Sequence, residues 1–319
     1  MKEKTAKRQS LSKRQPFGKY LKEQLKTRPA VTTIMVLYLA FCLASVIYLP
    51  ISGRARDGGY SLVYASVVPL FYVLEYFTRQ KTPWLCVALI MFWLFGSFIG
   101  ACYNVYTKFE IAGSKCWDDI MHFLWGMVFT AAGFAVIKMF MGEPENNKKF
   151  FGCLVFGFAF CLMIAVFWEI YEFTVDSVSN GYDMQEDTIV NSIHSFLLYP
   201  GYDHLHTLVI DGIAYTELYD ANGNLLYTIE GGYLDIGIMD TMWDIIWCTV
   251  SAAVLCVILG VDRFIGGRIY KVVIPSVPVK EAPAPAAEEV TPSEEALAEV
   301  APPAEVAPPA EVAPPAEEI

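Results

Sequence analysis

Six apolar runs, each close to twenty residues long, constrain this chain more than any other feature of its sequence. A helix that crosses the hydrocarbon layer of a bilayer needs about 20 apolar residues. The composition agrees, because 55% of the residues are hydrophobic, 18% are charged and the mean hydropathy is +0.40. The sequence therefore predicts an all-α integral membrane protein with transmembrane helices near 31–51, 60–77, 84–103, 118–137, 150–173 and 238–260.

Lysine and arginine are divided unequally between the two sets of connections. Residues 1–30, the connections 78–83 and 138–149, and the stretch after the last span carry nineteen of the 23 basic residues. The positive-inside rule then predicts that both termini are cytoplasmic. Nucleic acid is not an expected partner, because its recognition needs a basic face on a folded domain rather than a basic leader.

The connection between the fifth and sixth spans, residues 175–237, is long enough to have structure of its own. It contains ten acidic residues and neither lysine nor arginine, which places it outside. Residues 214–219 and 225–229 alternate polar and apolar side chains around a turn that contains Gly223. This pattern predicts a small β-hairpin in the outer loop.

Three segments follow from composition. Residues 1–30 form a basic cytoplasmic leader, residues 31–272 form the six-helix membrane domain, and residues 273–319 form a tail rich in Ala, Pro, Glu and Val. From Ala298 the unit AEVAPP repeats. Such a segment has no apolar face to bury, so it is predicted to be disordered. It could dock a cytoplasmic protein partner, or simply keep the chain soluble.

Ionisable residues inside the spans gather at one depth. The fourth span begins with Asp118 and Asp119, which lie four and three residues before His122, so either carboxylate can share a helix face with the imidazole. The fifth span ends with Glu169 and Glu172, three apart. Asp240 and Asp244 stack one turn apart at the start of the sixth. Residues at these spacings share a helix face. Because the fourth and sixth spans run inward and the fifth runs outward, all three groups are expected at the outer boundary of the membrane.

Charged groups inside a span are costly and usually mark a function. Carboxylates with one histidine can bind a divalent cation, relay protons or act as an acid/base pair. We assign His122, Glu169 and Glu172 as candidate catalytic residues. The candidate ligands of a divalent cation are Asp119, Glu169, Glu172, Asp240 and Asp244. Helices that project beyond the bilayer, with Asp118 and Asp240 as caps, offer a purely structural alternative.

The sequence leaves two pairings elsewhere open. Glu75 and Arg79 are four residues apart and could form an ordinary ion pair on one helix. Cys102 and Cys116 flank one short loop and could form a disulfide in an oxidising compartment. The other six cysteines lie in apolar runs, where a thiol behaves as a small hydrophobe.

Three short motifs carry a family resemblance. They are Asp119-x-x-His122-Phe123-x-x-Gly126, Trp168-Glu169-x-x-Glu172 and Asp240-Thr241-x-x-Asp244. In these motifs the chain resembles the YjdF-like family of uncharacterised bacterial inner-membrane proteins and, more loosely, VanZ-like membrane proteins. The resemblance covers about residues 31–262. It implies a multi-pass protein of the bacterial inner membrane with an outward-facing acidic cluster, and it implies no activity.

The leading interpretation is metal- or acid/base-assisted chemistry on an envelope or lipid-linked substrate, with membrane lipids as partners and a divalent cation as cofactor. A cation- or proton-coupled carrier would use the same groups as its coupling site. A non-catalytic assembly protein would instead use the tail to recruit cytoplasmic partners.

Overall fold

A computed structural model describes residues 15–111, 114–179, 183–201 and 205–276, with no account of the side chains of residues 114 and 115. Within these ranges the chain is mostly helical. In chain order the helices are α1 (Phe17–Thr27), α2 (Pro29–Ile51), α3 (Ala55–Thr78), α4 (Trp84–Tyr103), α5 (Val105–Lys108), α6 (Trp117–Met141), α7 (Asn147–Val178), α8 (Ile238–Ile265) and α9 (Arg268–Val273).

In the described residues, six helices are long and apolar enough to cross a membrane: α2, α3, α4, α6, α7 and α8. The predicted six-span architecture is confirmed. The helices extend beyond the apolar runs, most of all α7, which has 32 residues. The extra turns carry charged and polar residues, which a search for apolar runs does not include.

The basic leader was predicted without a helix, yet α1 occupies residues 17–27. One side of α1 packs on the spans: Gln24 is 2% exposed, and the Phe17 and Tyr76 rings meet edge to face at 5.3 Å. Apolar and aromatic residues spaced along one helix face are the signal that predicts such a helix.

The spans form two bundles of three helices. In the N-terminal bundle, α2, α3 and α4 share a core that includes Met35, Tyr72 and Phe98. In the C-terminal bundle, α6 packs between α7 and α8 around Phe134 and Cys248. The bundles meet where α4 contacts α6. There the indole N–H of Trp117 donates to the carbonyl of Gly96 at 3.1 Å.

Polar contacts tie the C-terminal segment to the end of the molecule where α6 ends. The Lys138 ammonium donates to the Tyr270 hydroxyl at 2.8 Å and to the Pro275 carbonyl at 3.0 Å. Ile274 is 1% exposed, and Ser276 pairs with Lys81 through backbone hydrogen bonds. Residues 273–276, assigned to the tail from their composition, are therefore packed against the helices. The rest of the predicted tail lies outside the described residues.

Short antiparallel strand pairs occupy the loops. A two-residue pair joins β1 (Glu110–Ile111) to β2 (Ser114–Lys115). In the long loop, β3 (Thr188–Val190) pairs with β8 (Tyr233–Asp235), β4 (Ile193–Ser195) with β5 (Leu208–Ile210), and β6 (Tyr215–Tyr219) with β7 (Leu225–Glu230). The last pair is the predicted hairpin, which is confirmed. The Asp220 carboxylate stabilises its turn by accepting hydrogen bonds from the backbone N–H groups of Asn222 and Asn224.

Two expected pairings are not formed. Among the described cysteines, Cys102 and Cys116 are both free thiols. Cys102 is fully buried in the N-terminal bundle, where its thiol donates to the Asp57 carbonyl at 3.7 Å. Glu75 forms its ion pair with Arg28, at 2.7 Å, rather than with Arg79. In both cases tertiary packing, which local spacing does not reveal, determines the partner.

Candidate functional site

Three helices bring their acidic ends together, with α7 running opposite to α6 and α8. His122 lies five residues after the start of α6, Glu172 six residues before the end of α7, and Asp244 six residues after the start of α8. At 1.5 Å per residue these side chains lie about 8–9 Å from their helix ends. They therefore share one level inside the C-terminal bundle.

Close helix packing makes this meeting possible. A Cβ atom on Gly126 of α6 would lie 1.8 Å from the Ser251 hydroxyl oxygen and 2.5 Å from the Cys248 carbonyl oxygen of α8. One turn further along α6, the Thr130 carbonyl faces Gly157 of α7, where it would be 2.6 Å from an added Cβ. Small residues at these crossings allow the helix backbones to approach closely.

Among the described residues, two groups of side chains could hold a metal ion. The first group contains a histidine between two carboxylates. Nε2 of His122 lies 3.4 Å from a carboxylate oxygen of Asp244 and 3.7 Å from one of Asp118. Its other ring nitrogen, Nδ1, lies 3.7 Å from the Cys248 thiol. His122 is 7% exposed and Asp244 is 2% exposed. The imidazole thus links a carboxylate nearer the helix end to one deeper in the bundle.

The second ligand group consists of carboxylates alone. Glu169, Glu172 and Asp244 each offer an oxygen, and these oxygens lie within 4.8 Å of one another. Both oxygens of Glu169 and one of Glu172 are buried without a hydrogen-bond partner among the described residues. Burying a carboxylate without a partner is costly. Carboxylate oxygens at this separation fit a hard divalent cation.

Tryptophans enclose the carboxylates on the side toward the bundle centre. The indole N–H of Trp168 donates to Glu172 at 2.7 Å. Trp125 stacks parallel to His122 with 6.0 Å between ring centroids, and it contacts Trp168 at 5.3 Å. The rings keep the local environment apolar, which strengthens any electrostatic interaction at the site.

A loop segment packs over the helix ends above the site. The Asp176 carboxylate of α7 accepts hydrogen bonds from the backbone N–H groups of Met184 and Gln185, all at 2.9 Å. The Gln185 side-chain amide donates to the Thr241 hydroxyl of α8 at 2.6 Å. The loop thereby bridges the end of α7 and the start of α8.

The loop segment is itself acidic. Burial raises the pKa of Asp187, and the carboxylates of Asp183, Asp235 and Asp176 raise it further. Negative charge therefore extends from the buried site toward its rim, an arrangement that attracts cations.

Not every predicted ligand joins the site. Within the described ranges, neither Asp119 nor Asp240 belongs to a group of three closely spaced ligand atoms. One oxygen of Asp240 accepts the backbone N–H of Glu186 at 3.1 Å, so this side chain supports the loop. Asp118, which the sequence offers both as a helix cap and as a partner of His122, lies beside His122. Its i,i+4 spacing to His122 is the signal that identifies it.

Comparison with known proteins agrees with the fold and adds no activity. Neither the curated proteins nor the solved structures contain a match. Residues 31–263 match the family described as "Predicted membrane protein (DUF2238)". This match spans all six membrane helices except the first two residues of α2 and the last two of α8. The chain therefore belongs to this family of predicted membrane proteins.

Proposed function

We propose that Glu169, Glu172 and Asp244 bind a divalent cation inside the C-terminal bundle. The observation that supports this most strongly is the set of buried carboxylate oxygens on Glu169 and Glu172 that lack hydrogen-bond partners among the described residues. Three carboxylates within 4.8 Å repel one another strongly in an apolar environment. A bound cation would supply the missing partner and remove the repulsion.

In this proposal His122 and Asp118 form the acid/base pair next to the ion. Nε2 of His122 faces both Asp118 and Asp244, so a proton could pass between the rim and the ligand set. The ion would polarise an oxygen of the substrate or of water, which is the usual chemistry of a divalent cation in a carboxylate site. His122 would then hold or release the proton that this reaction moves.

The substrate class follows from position. The ligands lie about two turns below the ends of apolar helices, where a membrane-bound molecule can reach them. The unequal distribution of lysine and arginine supports cytoplasmic termini and an outward-facing site. We therefore propose a YjdF-like protein of a bacterial inner membrane that acts on an envelope or lipid-linked substrate. A reporter fused after Tyr219 that is active only in the cytoplasm would overturn this orientation.

A second candidate function is a cation- or proton-coupled carrier. The contacts of His122 with two carboxylates support it, because a chain of titratable groups is what a relay needs. Below the site, however, α6 contributes Phe134, which is fully buried in the core shared with α7 and α8. A carrier would have to move these helices to let an ion pass, whereas a binding site would not.

Metal content and melting curves of the purified protein distinguish the cation-binding site from the proton-coupled carrier. If a cation balances the charge, the wild type contains a divalent metal, and Glu172→Gln removes it and lowers the melting temperature. If protons balance the charge, no metal is found, and Glu172→Gln raises the melting temperature by relieving repulsion. Asp240→Asn is the matched control, which should retain the metal because Asp240 serves the loop.

One result would rule out the proposed cation site. That result is unaltered metal content, melting temperature and cellular phenotype in Glu169→Gln, Glu172→Gln and His122→Ala alike. The three residues would then be buried polar groups of the helix packing, with no role as a unit.

A further inference from the structure

An apolar groove of about 460 Å³ runs along the N-terminal bundle, on helices that contribute nothing to the carboxylate site. Its lining includes Leu21 and Leu25 of α1, Met35 and Leu39 of α2, and Val68 and Tyr72 of α3. Two of its sides are therefore transmembrane helices, and α1 closes one end. An apolar groove between spans is in contact with acyl chains in a bilayer.

The end of the groove formed by α1 is basic. At 100° per residue, Lys22 follows Leu25 around the helix, on the side away from the buried Gln24, and Lys26 lies next to Lys22. Both lysines are exposed, as is Leu25, which is 41% exposed. The groove thus joins an apolar channel to positive charge, which complements an anionic headgroup.

A buried hydroxyl lines the same groove. Tyr72 is 5% exposed, and in the described part of the chain its hydroxyl has no hydrogen-bond partner. It lies six residues before the end of α3, about 9 Å along the helix from the end near α1. A buried hydroxyl at this position can donate a hydrogen bond to an ester oxygen of a lipid.

We propose that this groove binds one anionic phospholipid. One acyl chain would lie against Met35, Leu39 and Val68, an ester oxygen would accept a hydrogen bond from the Tyr72 hydroxyl, and Lys22 and Lys26 would contact the headgroup. The proposal is independent of the cation site, because the two share no residue.

Melting temperatures of the purified protein in detergent, titrated with lipid, test this directly. A ligand that binds only the folded state raises the melting temperature, and the rise grows with the logarithm of the ligand concentration once this exceeds the dissociation constant. Long-chain phosphatidylglycerol should raise it at lower lipid fractions than phosphatidylcholine of the same chains, and glycerol phosphate alone should have no effect. Each lysine near an anionic lipid contributes about fivefold in affinity.

The variants address the two ends of the groove separately. Lys22→Glu with Lys26→Glu should abolish the preference for phosphatidylglycerol, and Tyr72→Phe should weaken the binding of both lipids. Ser66→Trp places a large side chain in the groove from an exposed position of α3 and should abolish the effect of both lipids. Lys148→Glu is the matched control, since Lys148 is an exposed basic residue at the start of α7, outside the groove.

Several results would overturn the proposal. Equal effects of the two lipids on the wild type, or an unchanged lipid preference in the double lysine variant, would exclude headgroup recognition by α1. A full effect of glycerol phosphate would identify a site for free phosphate. Unchanged lipid binding in Ser66→Trp would show that no lipid occupies the groove. The same conclusion would follow if this variant changed its oligomeric state and kept its lipid binding.

Discussion

Glu75 in the N-terminal bundle and Glu172 in the C-terminal bundle are both carboxylates buried in apolar helices, 5% and 7% exposed. Glu75 is fully partnered. It pairs with Arg28 at 2.7 Å, accepts the Tyr20 hydroxyl at 3.1 Å and accepts the backbone N–H of Thr82 at 2.7 Å. Among the described residues Glu172 has one hydrogen-bond partner, the indole of Trp168, and it lies beside two further carboxylates.

The difference separates a structural carboxylate from a candidate functional one. Loss of either charge of the Glu75–Arg28 pair would leave the other one buried without its counter-charge, so the fold depends on that cluster. The carboxylates around Glu172 repel one another, so the folded protein without a bound cation would be more stable if they were absent. A group that costs stability is typical of a binding or catalytic site.

The largest expected effect comes from breaking the satisfied cluster. Glu75→Gln should destabilise the protein by about 3 kcal/mol, because Arg28, whose side chain is 14% exposed, would lose its counter-charge. Denaturation in detergent measures this. The same isosteric change at Glu172, in metal-free protein, should not destabilise. Equal losses in the two variants would remove the distinction between the bundles.

The crossing of α6 and α8 gives the next largest effect. Gly126→Ala should cost about 1–3 kcal/mol, because the new methyl group meets the Cys248 backbone and the helices must separate. His122 would then move away from Asp244, and denaturation in detergent measures the loss of stability. Metal content should change less, because the three proposed ligands lie on α7 and α8. Gly152→Ala on α7 is the control, since nothing lies within 4 Å of its added Cβ. If Gly126→Ala behaves like that control, the close packing does not position the site.

The number and order of the membrane helices and the acidic residues on them could be predicted from sequence, because hydropathy and 3.6-residue periodicity are local properties. The ends of α7 could not, because its outer turns are polar. The grouping of Glu169, Glu172 and Asp244 follows from the alternating direction of the spans. The sequence leaves both Asp118 and Asp119 open as the partner of His122, because spacings of four and three residues each fit one helix face, and the structure places an Asp118 oxygen 3.7 Å from Nε2. Only the packing of α8 against α6 decides between them.

The partner of Glu75 could not be predicted for a related reason. Arg79 is four residues away on the expected helix, but its backbone is in the left-handed conformation just after α3 ends. Arg28 is 47 residues distant in sequence and reaches Glu75 only because α1 and α2 pack beside the end of α3. Sequence periodicity describes faces within one helix, whereas this ion pair depends on the arrangement of three.

The loop above the site should respond to a smaller change. Asp176→Ala removes the acceptor for the N–H groups of Met184 and Gln185 and should loosen this segment by about 1–2 kcal/mol. Amide hydrogen exchange of the two residues measures that opening. Asp211→Ala is the control, because Asp211 is a largely exposed loop carboxylate whose ion-pair distance to His194 is 4.0 Å. Unchanged exchange in Asp176→Ala would mean that Gln185 and Thr241 hold the loop without it.

The smallest expected effect on stability comes from Asp57, a carboxylate near the surface of the N-terminal bundle. Asp57 pairs with Arg54 at 2.6 Å at the start of α3, and the Arg54 side chain is 36% exposed. Solvent screens such a pair, so Asp57→Asn should cost about 0.5 kcal/mol, and the difference should vanish in high salt. Glu75→Gln should keep most of its effect in high salt, because its cluster is buried. A salt-resistant loss at Asp57 would mean that burial does not explain the contrast between partnered and unpartnered carboxylates, and the interpretation of Glu172 would then need another basis.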